Sequence, residues 1–191
     1  MGVPASSSVA PFMLMIRGWA MASCMDMSPS SRPITVSGVI ANGGTGNGGL
    51  LVTSGTVTLS GANTYGGGTS ITAGTVYVGN LSAFGTGTVT QTAGTMVSTV
   101  SGTLANNLNP VVITFTNGGS GNQSLTFDGT GINTVLAAST LTNQLGGTIT
   151  FTDEMRLSAN LVAGAGSFVF NNLSANGGDR QITFVFTIFI V

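Results

Sequence analysis

The chain has 191 residues, enough for one domain of ordinary size, with 30 Gly, one Cys, no His and a formal net charge of −1. Only 5% of residues are charged while 42% are hydrophobic, which excludes charge-rich disorder and leaves no long-range field for nucleic acid or an anionic membrane. Without His, neither an imidazole-based triad nor a zinc centre can be built from this chain, and the single Cys24 has no internal disulfide partner.

Residues 1–33 differ in texture from the rest. Ala10–Ala22 is apolar but broken by Arg17, and the basic region that opens a signal peptide is missing. The run is shorter than the ~20 residues of a transmembrane helix. Met21-Ala22-Ser23-Cys24 is a loose lipoprotein-type box in which Cys24 would be lipidated. The plainer reading is a leader that is poorly structured or forms a short helix over Phe12–Ala22.

From Ile34 onward short apolar-alternating runs lie between Gly, Asn and Ser, and no window keeps a helical period. The pattern predicts strands at Ile34–Ile40, Leu50–Thr53, Thr56–Leu59, Ser70–Thr72, Thr75–Val78, Thr88–Thr92, Thr95–Val100, Val111–Thr116, Ser124–Phe127, Thr134–Ala137, Thr148–Thr152, Arg156–Leu161, Ser167–Phe170 and Gln181–Val191. Within Thr56–Leu59 and Thr75–Val78, Val57, Leu59, Val76 and Val78 share inward faces, while Thr58 and Tyr77 point outward. The two runs are 19 residues apart, and a strand-plus-turn unit of about 20 residues marks a solenoid.

Further repeats support one architecture over residues 34–191. Gly-Thr-apolar units recur at Gly55, Gly74, Gly87, Gly94, Gly102 and Gly147, and an aliphatic-Thr-Phe unit recurs at Ile113, Leu125, Ile149 and Ile182. Stacked coils turn such units into rows of like residues ~4.8 Å apart, which a sandwich has no reason to do. Asn63 and Asn80, each shortly after a strand, fit a row of the same kind. The expected fold class is therefore all-β, a parallel β-helix of roughly eight coils preceded by an irregular leader. The apolar, uncharged Ile182–Val191 reads as a last strand left exposed, so the chain reads as a fragment.

The stretch Ser54–Val89 resembles the passenger-associated β-strand repeat of bacterial autotransporters. The elements that match are Gly55 to Leu59, Gly61, Asn63, Tyr65, Gly67 to Ile71, Gly74 to Gly79 and Gly85 to Val89. Val follows both Gly-Thr pairs where the family has Leu, and Phe84 replaces a further Leu. The resemblance implies a right-handed parallel β-helix exported across the outer membrane, with no catalytic residues.

Candidate sites are few. Asp153, Glu154 and Arg156 are the densest of the charges, whose other members are Asp26, Asp128, Asp179, Arg17, Arg32 and Arg180. A glycosidase needs two carboxylates converging on one bond, and adjacent strand residues face opposite ways, so Asp153 and Glu154 read as a solvated turn. Gly43–Gly49 resembles a calcium-binding nonapeptide but has Gly48 where the carboxylate belongs, and no Lys follows to make a phosphate loop. Thr56/Thr58, Thr88/Thr90, Thr114/Thr116 and Thr148/Thr150/Thr152 would expose hydroxyls on one face. No catalytic, cofactor-binding or metal residue is assigned. The reading is a non-enzymatic structural or adhesive segment of a cell-surface protein, an adhesin-like passenger facing a host surface or extracellular glycan. It stacks on neighbouring coils of a longer passenger and meets a membrane only through a separate translocator. A β-helical polysaccharide-active protein and an ice- or glycan-binding solenoid are the alternatives.

Overall fold

The computed structural model describes residues 12–17, 23–27, 33–43, 46–175 and 181–184. Among them there are nineteen strands and no helix. In chain order these are β1 (Phe12–Arg17), β2 (Ser23–Met27), β3 (Ile34–Val36), β4 (Gly49–Val52), β5 (Thr56–Leu59), β6 (Thr69–Ile71), β7 (Thr75–Val78), β8 (Val89–Gln91), β9 (Thr95–Ser98) and β10 (Gly102–Leu104). There follow β11 (Leu108–Pro110), β12 (Val112–Asn117), β13 (Gln123–Phe127), β14 (Asn133–Val135), β15 (Ser139–Gln144), β16 (Gly146–Leu157), β17 (Leu161–Ala163), β18 (Ser167–Ala175) and β19 (Ile182–Phe184).

The strands stack into a parallel β-solenoid of about seven turns. Its first face has eight strands in the order β3-β5-β7-β9-β12-β15-β17-β19, every neighbour parallel. A second face runs β4-β6-β8-β11. A third is formed by β10, β13 and the first halves of β16 and β18. β16 turns a corner through a register shift between Phe151 and Glu154, and its second half pairs with β14 and β18 to resume the second face. One coil is 19 residues from Thr56 to Thr75, 20 from Thr75 to Thr95 and 19 from Thr95 to Thr114. It lengthens to 28 from Ile113 to Leu141.

The alternation read from the sequence is the alternation of burial. Val57, Val76, Met96 and Phe115 form one inward column and are fully buried, while Thr58 and Tyr77 between such columns are half-buried. The Gly-Thr signature has a backbone cause. Gly55, Gly74 and Gly94 hold φ values of 73°, 91° and 101° at the turns before β5, β7 and β9. A Cβ on Gly74 would lie 2.5 Å from the Gly55 carbonyl oxygen, and one on Gly94 2.4 Å from that of Gly74. Only glycine accepts both the conformation and the stacking distance.

Several expectations are corrected. The leader, expected to be poorly structured or to form a short helix over Phe12–Ala22, has strand at Phe12–Arg17 and Ser23–Met27, and residues 18–22 lie outside the described residues. The reason is the open edge of β4, whose N–H and C=O groups need partners: β1 pairs antiparallel with it, and β2 with β1. The aliphatic-Thr-Phe units do not form one row. Ile113 and Ile182 lie on the first face, Leu125 and Ile149 on the third, so the spacing of 12 between Ile113 and Leu125 is a step around one coil. On the third face Phe127, Phe151 and Phe170 stack, with ring centroids 5.4 and 5.3 Å apart and nearly parallel planes. β2, β10, β11 and β15 have no counterpart among the expected strands, and the expected Arg156–Leu161 is divided, its start closing β16 and its end opening β17. Of Gln181–Val191, only Ile182–Phe184 is described as strand, and residues 185–191 lie outside the described residues.

Candidate functional site

The Asn63, Tyr65 and Thr69 residues of the Ser54–Val89 unit build the corner of a coil. Tyr65 is 1% exposed and its hydroxyl hydrogen-bonds with Thr69 Oγ1 at 2.6 Å. Burial pushes the phenol up to about 12, against the opposing pull of the Thr69 hydrogen bond. Asn63 is buried and joins three coils: its Oδ1 accepts from the Ile40 N–H at 2.8 Å and its Nδ2 donates to the Ala83 carbonyl at 2.6 Å. Asn80 does not stack on Asn63. Its Oδ1 accepts locally from the Ser82 N–H, and Ser82 carries the carbonyl that meets the Asn63 backbone. The expected Asn row is thus a set of separate bridges, because each amide finds a different unpaired backbone group at its corner.

The outer surface is neutral over a long span. No charged residue occurs between Arg32 and Asp128. On the first face Thr56, Thr75, Thr95, Thr114 and Thr142 form an unbroken outward column, one per coil. Of the Thr-x-Thr pairs, only Thr56/Thr58 and Thr114/Thr116 lie on this face; Thr90 is on the second and Thr148/Thr150/Thr152 on the third. The second face carries an open trough of about 720 Å³ across β4, β6 and β8, bordered by Leu51, Ser70, Thr90 and the Gly66–Gly68 backbone. Leu51, Ser70 and Thr90 are register partners one coil apart. Sequence reasoning missed this trough, although the 19–20-residue period could have aligned the three positions. No side chain lining it is charged.

The charges gather elsewhere. Asp153 and Glu154 lie inside the continuous strand β16, at its corner, rather than in a turn. The side chains point to separate partners: Asp153 Oδ2 accepts from Asn107 Nδ2 at 3.2 Å, while Glu154 pairs with Arg156 at 3.2 Å and accepts from the Ser174 hydroxyl. The Ser174 hydrogen bond and then Arg156 hold the Glu154 carboxyl below its ordinary range. Asp128 Oδ1 accepts from Thr152 Oγ1 at 2.6 Å. Each of the three described carboxylates is therefore tied to its own neighbour. Gly43 and Gly46–Gly49 are described, whereas Gly44 and Thr45 are not; Asn42 Oδ1 collects the N–H groups of Gly48 and Gly66. Among the described residues no three side chains gather as metal ligands, and no helix is long and apolar enough to cross a membrane.

No curated protein and no solved structure matches the chain significantly. Residues 54–78 match the family described as passenger-associated-transport-repeat, which is not an enzyme family and which implies a secreted or cell-surface protein. The matched residues are β5, the Asn63–Tyr65 corner, β6, the Gly74 turn and β7, so the match to the passenger-associated-transport-repeat spans one full coil of this solenoid.

Proposed function

We propose that this chain is a non-enzymatic, adhesive segment of the passenger of an autotransporter-like protein, displayed at the bacterial outer surface, with residues 34–191 forming one β-helical domain. The observation that carries the reading is the repeat match at residues 54–78 inside a solenoid whose coils continue in the same register on both sides. A stacked rod gives reach from a membrane without a large hydrophobic core, since each coil is completed by its neighbours. Hydroxyl columns and a charge-free trough suit neutral, hydroxyl-bearing partners such as extracellular glycan, which they meet through hydrogen bonds and small apolar contacts rather than through ion pairs.

Two measurements test this. Antibodies against residues 46–175 should label intact cells of the natural source, and external protease should remove the signal; retention inside the cell contradicts surface display. On a glycan array, binding should change little with salt, because no ion pairs are screened. Hydrolysis of a bound polysaccharide that is lost on Asp153→Asn or Glu154→Gln would overturn the non-enzymatic reading.

A further inference from the structure

The second face contains a break. Within β8 and β11 the Val89 N–H donates to the Asn107 carbonyl, and the Val111 N–H to that of Gln91, as a parallel ladder requires. Val89 and Leu108 are register partners, so the N–H of Leu108 likewise faces the next coil. There it finds not a strand carbonyl but the side chain of Asn133, at 2.7 Å. In the other direction the Thr134 N–H is taken by the side chain of Asn109, at 2.8 Å. Two residues beyond Leu108, on the same side of the strand, stands Pro110, which has no N–H to give. The Pro110 carbonyl accepts instead from the Ser139 hydroxyl, at 2.8 Å. β11 and β14 lie side by side without a ladder between them, and the second face resumes only at β14 and β16.

Two further observations fall at the same place. This is the level of the longest coil, 28 residues from Ile113 to Leu141. The buried side-chain atoms that find no hydrogen-bond partner among the described residues also cluster here: both polar atoms of Gln91, Asn106 Oδ1 and Asn133 Nδ2. Gln91 occupies an inward column otherwise made of Val52, Ile71 and Pro110, where a carboxamide is the wrong chemistry.

We propose that this seam between β11 and β14 is a built-in opening point, which divides the rod into two cooperative units, one ending at β11 and one beginning at β14. The first and third faces remain laddered across it, through β9-β12-β15 and β10-β13-β16, so they act as the hinge side. Side chains of Asn107, Asn109, Asn133 and Ser139 stitch the second face in place of a backbone ladder, and such side-chain bonds open at lower cost than a continuous ladder.

Native-state hydrogen exchange on the intact chain tests the proposal. The Leu108 and Thr134 amides should exchange about tenfold or more faster than those of Thr69 and Val89 on one side and Ser158 on the other. Asn109→Ala should accelerate exchange across β14 while leaving β5–β8 unchanged, and Gln91→Leu should slow opening at the seam. Equal protection of all five amides, or an Asn109→Ala effect spread evenly over every coil, overturns it.

Discussion

Replacing Val57 by Asp tests the inward column in a way that separates core from surface chemistry. Val57 is fully buried between Ile34 and Val76, its register partners in the adjoining coils. Arg156, already paired with Glu154, is the one Arg whose side chain is described, and the chain has no Lys. Among the described side chains a carboxylate at this position therefore meets no free cation, and desolvation raises its pKa. Taking up a proton at pH 7, from an unfolded pKa of about 3.9, costs ~4 kcal/mol at ~1.4 kcal/mol per unit. That is a large part of the ~5–15 kcal/mol that holds a typical domain. The sign follows from the raised folded value: the folded state holds the extra proton, so the variant loses stability as pH rises above the unfolded pKa. At pH 3.5 most of the penalty disappears, leaving about 1–3 kcal/mol for a buried polar group. Thr58→Asp, one residue away but outward, should cost under about 1 kcal/mol and show no such pH dependence. Urea unfolding of Val57→Asp, Thr58→Asp and Val76→Asp at pH 3.5 and 7 reads these differences, and limited proteolysis should cut first beside the altered coil. Equal midpoints for the three variants would refute the inward assignment and the stacking built on it.

Other consequences concern the stack, the turn and the corner. Phe151 lies between Phe127 and Phe170 at 5.4 and 5.3 Å, so Phe151→Ala should lower stability by about 3–5 kcal/mol, far more than Thr150→Ala, as urea midpoints will show. Gly74→Ala places a Cβ 2.5 Å from the Gly55 carbonyl oxygen at a positive φ and should cost at least ~1–3 kcal/mol in thermal unfolding, whereas Ala at the open Gly38 should be tolerated. Tyr65, with its phenol pushed up to about 12, keeps its proton in the folded state above the unfolded value of 10.0. Its stabilising effect is complete below pH 10 and is lost as pH rises towards 12, so Tyr65→Phe should flatten the alkaline fall in stability over that window.

The parts of the fold that could be read from the sequence are those with a local cause. Val57, Leu59, Val76 and Val78 alternate with polar residues, and Gly55 and Gly74 mark turns that exclude a Cβ, so both strands and their burial followed directly. The uncharged surface and the lack of imidazole chemistry also came from composition. What stayed hidden was set by neighbouring coils. β11 reads Leu-Asn-Pro and β15 Ser-Thr-Leu-Thr-Asn-Gln, neither an apolar run. The inward Asn143 of β15 is acceptable only because its Nδ2 reaches the carbonyls of Gly147 and Ser167. Asp153-Glu154 reads as a turn because two acidic residues suit solvent, yet the chain turns this corner without leaving the sheet. The trough on the second face depends on which residues of three coils coincide, and that register is fixed by the stacking rather than by any one segment.

Parallel stacking in a fixed register is the central claim, and spin-label distances test it most directly. With Cys24 replaced by Ser, labels are placed in pairs along outward columns. Thr56 and Thr114 are separated by three coil steps, Thr56 and Thr142 by four, and Thr35 and Gln144 by five. At ~4.8 Å per step the mean separations should rise through about 14, 19 and 24 Å. A series that does not grow by one strand spacing per coil contradicts the solenoid.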